Sequence, residues 1–148
     1  MYNNTYKGKY KIKKPEKYEG NTTEVVYRSL WERAVFVWCE RNPSVANWSS
    51  EEVIIPYYDV GKGKPRRYHM DMKITFTDGR TILVEVKPKK QMKPPSKRLK
   101  RARYLEEKAT YVTNTCKWTA AEQYTKARGW GFQIWNEDTL KKMGILKK

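Results

Sequence analysis

Asp71, Glu85 and Lys87 are the residues of this chain whose types and spacing could do chemistry. One acid lies on an alternating apolar–polar run, and a second acid and a lysine lie two residues apart on the next such run. Carboxylates placed directly opposite each other across a strand pair repel. A cation between them removes that cost, and hard divalent cations take carboxylate oxygens. A site of this kind supports metal-assisted hydrolysis. The competing reading is an ordinary solvated strand face that carries two acids and a lysine.

Whether the three meet depends on a turn. Met70, Met72, Ile74 and Phe76 alternate with Asp71, Lys73 and Thr75, while Ile82, Val84 and Val86 alternate with Leu83, Glu85 and Lys87. Thr77-Asp78-Gly79 separates the runs. A two-residue Asp78-Gly79 loop would set Asp71 opposite Val86 and send the two apolar sets to opposite sides of the sheet. A three-residue loop, with Gly79 at positive φ, sets Phe76 opposite Arg80 and Asp71 opposite Glu85. Met70, Met72, Ile74, Ile82, Val84 and Val86 then share one buried face, and burial selects that register. Asp71, Glu85 and Lys87 gather on the other.

The flanking elements follow the same logic. Ser29-Leu30-Trp31-Glu32 is a capping box that opens an amphipathic helix to about Arg41, ended by Asn42-Pro43. Capping alone gives Glu32 a complete structural role. Glu52 to Tyr58 reads as a strand whose Pro56 marks an edge or a bulge. Gly61 to Pro65 reads as a flexible basic loop, with Arg66-Arg67 leading into the hairpin. Lys87 to Arg103 is densely basic, lacks acids and is interrupted by Pro88, Pro94 and Pro95. A helical pattern starts at Ser96 with cations in its first turns, where they oppose the macrodipole. That placement favours phosphate binding over a solvated face. Tyr111 to Thr113 is expected as a short strand. Thr119-Ala120-Ala121-Glu122 is expected as a second capping box, opening a helix that stops at Gly129. Trp130 to Trp135 reads as a strand and Glu137 to Met143 as a last short helix.

With 148 residues, the chain makes one domain, residues 21–148, preceded by a basic Tyr/Lys-rich arm over residues 1–20. The arm suits phosphate contact with stacking, or solvation. Lys and Arg number 32 against 16 acids, a net charge of +16, which points to a polyanionic partner, with nucleic acid foremost. No apolar run approaches the length of a membrane span, and no signal-peptide pattern is present. Cys39 and Cys116 lack a metal-site spacing and fit reduced thiols or a single disulfide.

The strand acid followed by Glu-x-Lys resembles the PD-(D/E)XK nuclease core. Tyr27-Arg28-Ser29-Leu30-Trp31-Glu32, Asn42-Pro43-Ser44-Val45, Arg67-Tyr68 with Asp71, and Val84-Glu85-Val86-Lys87-Pro88 resemble stretches of its TnsA-type endonuclease branch. So does the tail, through Ala120-Ala121, Gly129-Trp130-Gly131-Phe132 and Asn136 to Leu140. Size and the Tyr/Lys-rich start are most similar to the members of that branch from tailed phages.

The resemblance spans roughly residues 25–140. It implies an α/β restriction-endonuclease-like single domain with a mixed central sheet flanked by helices. It also implies an endodeoxyribonuclease that uses Mg²⁺, with Mn²⁺ as a substitute. Asp71, Glu85 and the backbone carbonyl of Val86 would hold the metal, Lys87 would orient or activate water, and Glu32 would complete the shell. Met70 departs from the proline that usually precedes the first acid, and Glu85 stands where TnsA itself has Gln.

Arg66, Arg67, Lys89, Lys90, Lys97, Arg98, Lys100 and Arg101 are the expected DNA contacts. The phage likeness implies work on DNA during head completion and packaging, beside capsid or portal proteins, in the host cytoplasm or in the virion. Two other readings stand: a non-catalytic DNA-binding or capsid-portal structural protein, and a structure-selective junction nuclease.

Overall fold

A computed structural model describes residues 7–147. In chain order the elements are β1 (Gly8–Lys9), β2 (Val26–Tyr27), α1 (Leu30–Arg41), β3 (Val45–Ser50), β4 (Ile54–Asp59), β5 (Lys64–His69), β6 (Met72–Phe76) and β7 (Thr81–Val86). A short 3-10 turn at Lys89–Met92 follows, then α2 (Arg101–Arg128), β8 (Gly131–Trp135) and α3 (Glu137–Lys142). The central sheet runs β3-β6-β7-β8, with β3, β6 and β7 antiparallel and β8 parallel to β7. A parallel neighbour requires a crossover, and α2 supplies it. Helices cover both faces of this mixed sheet: the expected α/β class is the one observed.

The hairpin takes the three-residue loop. Met72 pairs with Val84 and Ile74 with Ile82, while Phe76 N–H donates to the Arg80 carbonyl at 2.8 Å. Gly79 has φ 92°, a value that L side chains rarely adopt, and its N–H closes the turn on the Phe76 carbonyl. Met72, Ile74, Ile82, Val84 and Val86 pack beneath Trp31, Val35, Phe36 and Cys39 of α1. Met70 does not join them. The chain bends at Asp71, so β5 and β6 are separate strands and Met70 turns to the opposite face. There it packs with Ile55, Tyr57, Tyr68, Leu83 and Ala121 in a second core under α2.

Other readings change too: the helix expected from Ser96 begins only at Arg101, and one strand was not expected at all. β3 carries no clear alternation, and it is a strand because Trp48 and Val45 are buried when it pairs with β6. Arg66-Arg67 lie within β5, which among the described residues pairs only with β4, so Pro56 and Pro65 sit in a two-stranded ribbon that tolerates missing donors. The strand at Tyr111–Thr113 and the second capping box are both absorbed by one 28-residue helix. Thr113 lies in that helix with its hydroxyl on the buried Asp59 carboxylate of β4, at 2.9 and 3.0 Å. Tertiary contacts override the weak β preference of the local residues. Gly129, at φ 72°, ends the helix where expected.

Residues 7–20, expected as part of a basic arm, are built into the domain, while residues 1–6 lie outside the described residues. Tyr10 and Tyr18 are buried edge-on against Trp48. The Glu40 carboxylate accepts from Tyr10 Oη (2.6 Å), Lys13 N (2.8 Å) and Lys14 N (2.7 Å). Lys17 Nζ donates to the carbonyls of Cys39 and Asn42, capping the C-terminus of α1 with a cation. Cys39 and Cys116 are both free thiols.

Hydrogen bonds to a charged acceptor contribute more than neutral ones. Glu40→Ala is therefore expected to lower the unfolding free energy by about 2–4 kcal/mol and to open residues 7–20 to proteolysis. Urea unfolding and limited digestion check it; a solvated arm would leave both unchanged.

Candidate active site

The ladder between β6 and β7 ends at Met72 and Val84 because the chain bends at Asp71. The backbone N–H of Val86 has no strand partner on that side and donates instead to Asp71 Oδ2 at 2.9 Å. Asp71 is thereby pinned over the end of β7, opposite Glu85. Glu85 is 6 % exposed, which excludes a solvated strand face. Its Oε1 accepts from the Tyr68 hydroxyl, and its Oε2 pairs with Lys87 Nζ at 3.1 Å. The Val86 side chain points into the core beneath the sheet.

Glu32 arrives from the start of α1. Ser29 Oγ accepts from Glu32 N–H at 3.2 Å, and Glu32 Oε1 accepts from Arg28 N–H at 3.2 Å, a capping box shifted by one residue. The carboxyl of Glu32 is buried and raised above its ordinary value, first by burial and then by the charges of Glu51 and Glu85, with the Arg28 N–H opposing. Asp71 is raised further, by burial and by Glu85 and Glu32, against the bond from Val86 and the charge of Lys87. These acids therefore share one electrostatic site.

Glu51 adjoins it at φ 55°, a left-handed conformation that costs a non-glycine residue about 1–3 kcal/mol. It is held by its N–H bond to the Met70 carbonyl (3.0 Å) and by a two-pronged contact from Arg28.

A divalent cation suits this donor set. Asp71 keeps one oxygen free of hydrogen bonds and ion pairs among the described residues, and the carboxyls of Glu85 and Glu32 act on it together. Among the described residues, no three His, Cys, Asp or Glu side chains form a self-sufficient metal cluster. Mg²⁺ commonly uses only one or two carboxylates and takes its other oxygens from water and substrate phosphate.

Two side chains at the site were missed as site residues. Tyr68, which orients Glu85, was visible as part of the Arg67-Tyr68…Asp71 stretch. Lys117 was not: it comes from the middle of α2, with its ammonium 5.4 Å from the centroid of the Tyr68 ring. Burial lowers its proton affinity, Glu85 and Asp71 raise it, and Lys87 and Arg66 lower it again.

The expected DNA contacts are all exposed. Lys89 and Lys90 line a cavity of about 860 Å³ between the 88–99 loop, α2 and Trp31. Arg66 is paired with Asp59 (3.2 Å) and Lys89 with Asp138 (2.6 Å). Arg67, Lys90, Lys97, Arg98, Lys100 and Arg101 have no acidic partner among the described residues.

Residues 42–137 match the family model described as the TnsA-like endonuclease N-terminal domain. That span holds Asp71, Glu85, Lys87 and Lys117 but not Glu32. The chain is also 38 % identical over 145 residues to the head completion nuclease of Enterobacteria phage T4, covering 95 % of this chain and 97 % of that protein.

The raised carboxyls set the pH dependence of stability. An acid that holds its proton more tightly folded than unfolded destabilises the fold as pH rises from its ordinary value through its raised one. Asp71→Asn is therefore expected to be more stable than the parent at pH 7 in EDTA. The Tm should rise by several degrees, taking about 2–8 °C per kcal/mol, and the gain should vanish near pH 4. Thermal scans across pH check it; a lower Tm for Asp71→Asn at every pH would mean that the bond to Val86 dominates.

Proposed function

Since the chain belongs to the TnsA-like endonuclease family, of PD-(D/E)XK type, we propose that it is a Mg²⁺-dependent endonuclease that hydrolyses DNA phosphodiester bonds during phage head completion. The single observation that carries the reading is the approach of the half-buried Asp71 to the buried Glu85, with Lys87 bound to Glu85. Asp71, Glu85 and the Val86 carbonyl would hold the ion. The ion would supply positive charge to the phosphate and acidify the attacking water. Lys87 orients that water, Tyr68 and Lys87 hold the two oxygens of Glu85 in place, and Glu32 completes the polar shell.

The exposed cations at Arg66, Arg67, Lys89, Lys90 and along Lys97–Arg101 hold the phosphate backbone on either side. Such contacts position DNA without reading its sequence. The phage setting comes from the name of the T4 relative. On that reading we take capsid or portal proteins as partners, and the host cytoplasm or the assembled virion as the place of action.

Plasmid nicking with Mg²⁺ or Mn²⁺ tests the reading. Asp71→Asn, Glu85→Gln and Lys87→Ala should each reduce cleavage by about 10³-fold or more while DNA binding in EDTA is kept. Glu32→Gln should lower cleavage without lowering Tm, because a capping box accepts Gln. Mg²⁺ should raise the Tm of the parent but not of Asp71→Asn. Equal cleavage by the parent and Asp71→Asn would leave a non-catalytic DNA-binding protein, and a strong preference for branched DNA would make it a junction nuclease.

Neutralising Lys97, Arg98, Lys100 and Arg101 together should weaken binding whatever the DNA sequence. The slope of log affinity against log salt should shrink by about 0.9 for each duplex phosphate that the variant no longer neutralises. An unchanged slope would reassign this segment to a protein partner.

A further inference from the structure

We propose that Lys117 is a phosphate-binding group of the active site, placed to meet a non-bridging oxygen of the phosphodiester under attack. The inference rests on the nuclease reading and adds to it a residue outside the acid–acid–lysine motif.

On the side of α2 that faces the protein, Thr113, Ala121 and Thr125 are buried at helical spacing, with Thr113 fixed to Asp59 of β4 and Ala121 in the core beside Leu83. Lys117 occupies the position between them, four residues from Thr113 and from Ala121. It is the one charged residue on this stripe, where a small or apolar side chain would complete the packing. Lysines near the edge of a helix usually carry the ammonium out to water. This one is half-buried and turned over the Tyr68 ring.

A half-buried ammonium needs an anion. Among the described residues, Lys117 makes no salt bridge or hydrogen bond, and the aromatic face is its one direct partner. Glu85 is bound at the Tyr68 hydroxyl, with one oxygen taken there and the other by Lys87. Glu85 and Asp71 thus act on the ammonium from a distance, and it forms no ion pair with either among the described residues. Negative charge reaches this place with the substrate. In phosphoryl transfer that charge is spread over the non-bridging oxygens, and a fixed cation beside them stabilises the transition state. Lysine serves as a point charge that needs no particular fork geometry.

Lys117→Met and Lys117→Arg test the inference, using the full chain, duplex DNA and Mg²⁺. Removing one transition-state contact should lower the single-turnover rate of Lys117→Met by about 10²-fold or more. Its DNA affinity in EDTA should stay within about threefold of the parent, and its Tm should not fall. Arginine should restore the rate to within about tenfold of the parent.

A Lys117→Met protein that cleaves within about threefold of the parent would reduce Lys117 to packing on Tyr68. An affinity that falls in step with the rate, with the rate recovered at saturating protein, would make it an ordinary DNA contact. Lys117→Arg as slow as Lys117→Met, with a lowered Tm in both, would make its role structural. Asp71→Asn is run in parallel. If it cleaves like the parent, the nuclease reading falls and takes this inference with it. An active Lys117→Met beside an inactive Asp71→Asn overturns this inference alone.

Discussion

The register of the β6–β7 hairpin is the constraint on which the rest of this structure depends. Burying Met72, Ile74, Ile82, Val84 and Val86 under α1 allows only one pairing, and Gly79 at φ 92° supplies the loop that pairing needs. A slip of one residue would turn one strand's apolar side chains to the face opposite its partner's. The same register sets Asp71 across from Glu85. Packing energy thus places two like charges together, which neither residue would choose on its own.

What surrounds the acids makes that placement tolerable. The bend at Asp71 frees the Val86 N–H to bind a carboxylate, Tyr68 and Lys87 take up Glu85, and Ser29 and Arg28 hold Glu32 at the helix start. Each support comes from a different element, so the acids sit on rigid structure. They still stand in poor solvation, and two of them hold their protons more tightly than usual. A site arranged this way trades stability of the empty protein for readiness to bind a cation and a phosphate.

Charge in this protein has two separate uses. Lys17, and the backbone of Lys13 and Lys14, serve the fold by anchoring the N-terminal segment to α1. Among the described residues, Lys97, Arg98, Lys100 and Arg101 make no such contacts, and they lead into a helix, opened by Arg101, without acids in its first turn. A net charge of +16 is therefore a poor count of nucleic-acid contacts until the structure shows which cations are already engaged.

Local periodicity and turn chemistry were enough to read the hairpin, its loop length, the cap at Ser29 with Glu32, the stop at Gly129, and the last strand and helix. Each of these depends on residues a few positions apart, where side-chain direction and backbone preference act directly. The juxtaposition of Asp71, Glu85 and Lys87 was legible for the same reason. Tertiary structure alone decided the strand at Val45–Ser50, the unbroken α2, the turn of Met70 to the second core and the docking of residues 7–20. In each, burial against a distant partner outweighs a weak or misleading local pattern. Lys117 belongs with these: it is an ordinary helical lysine in sequence. It reaches the site only because Thr113 and Asp59 set the rotation of α2 against the sheet, and no spacing along the chain encodes that angle.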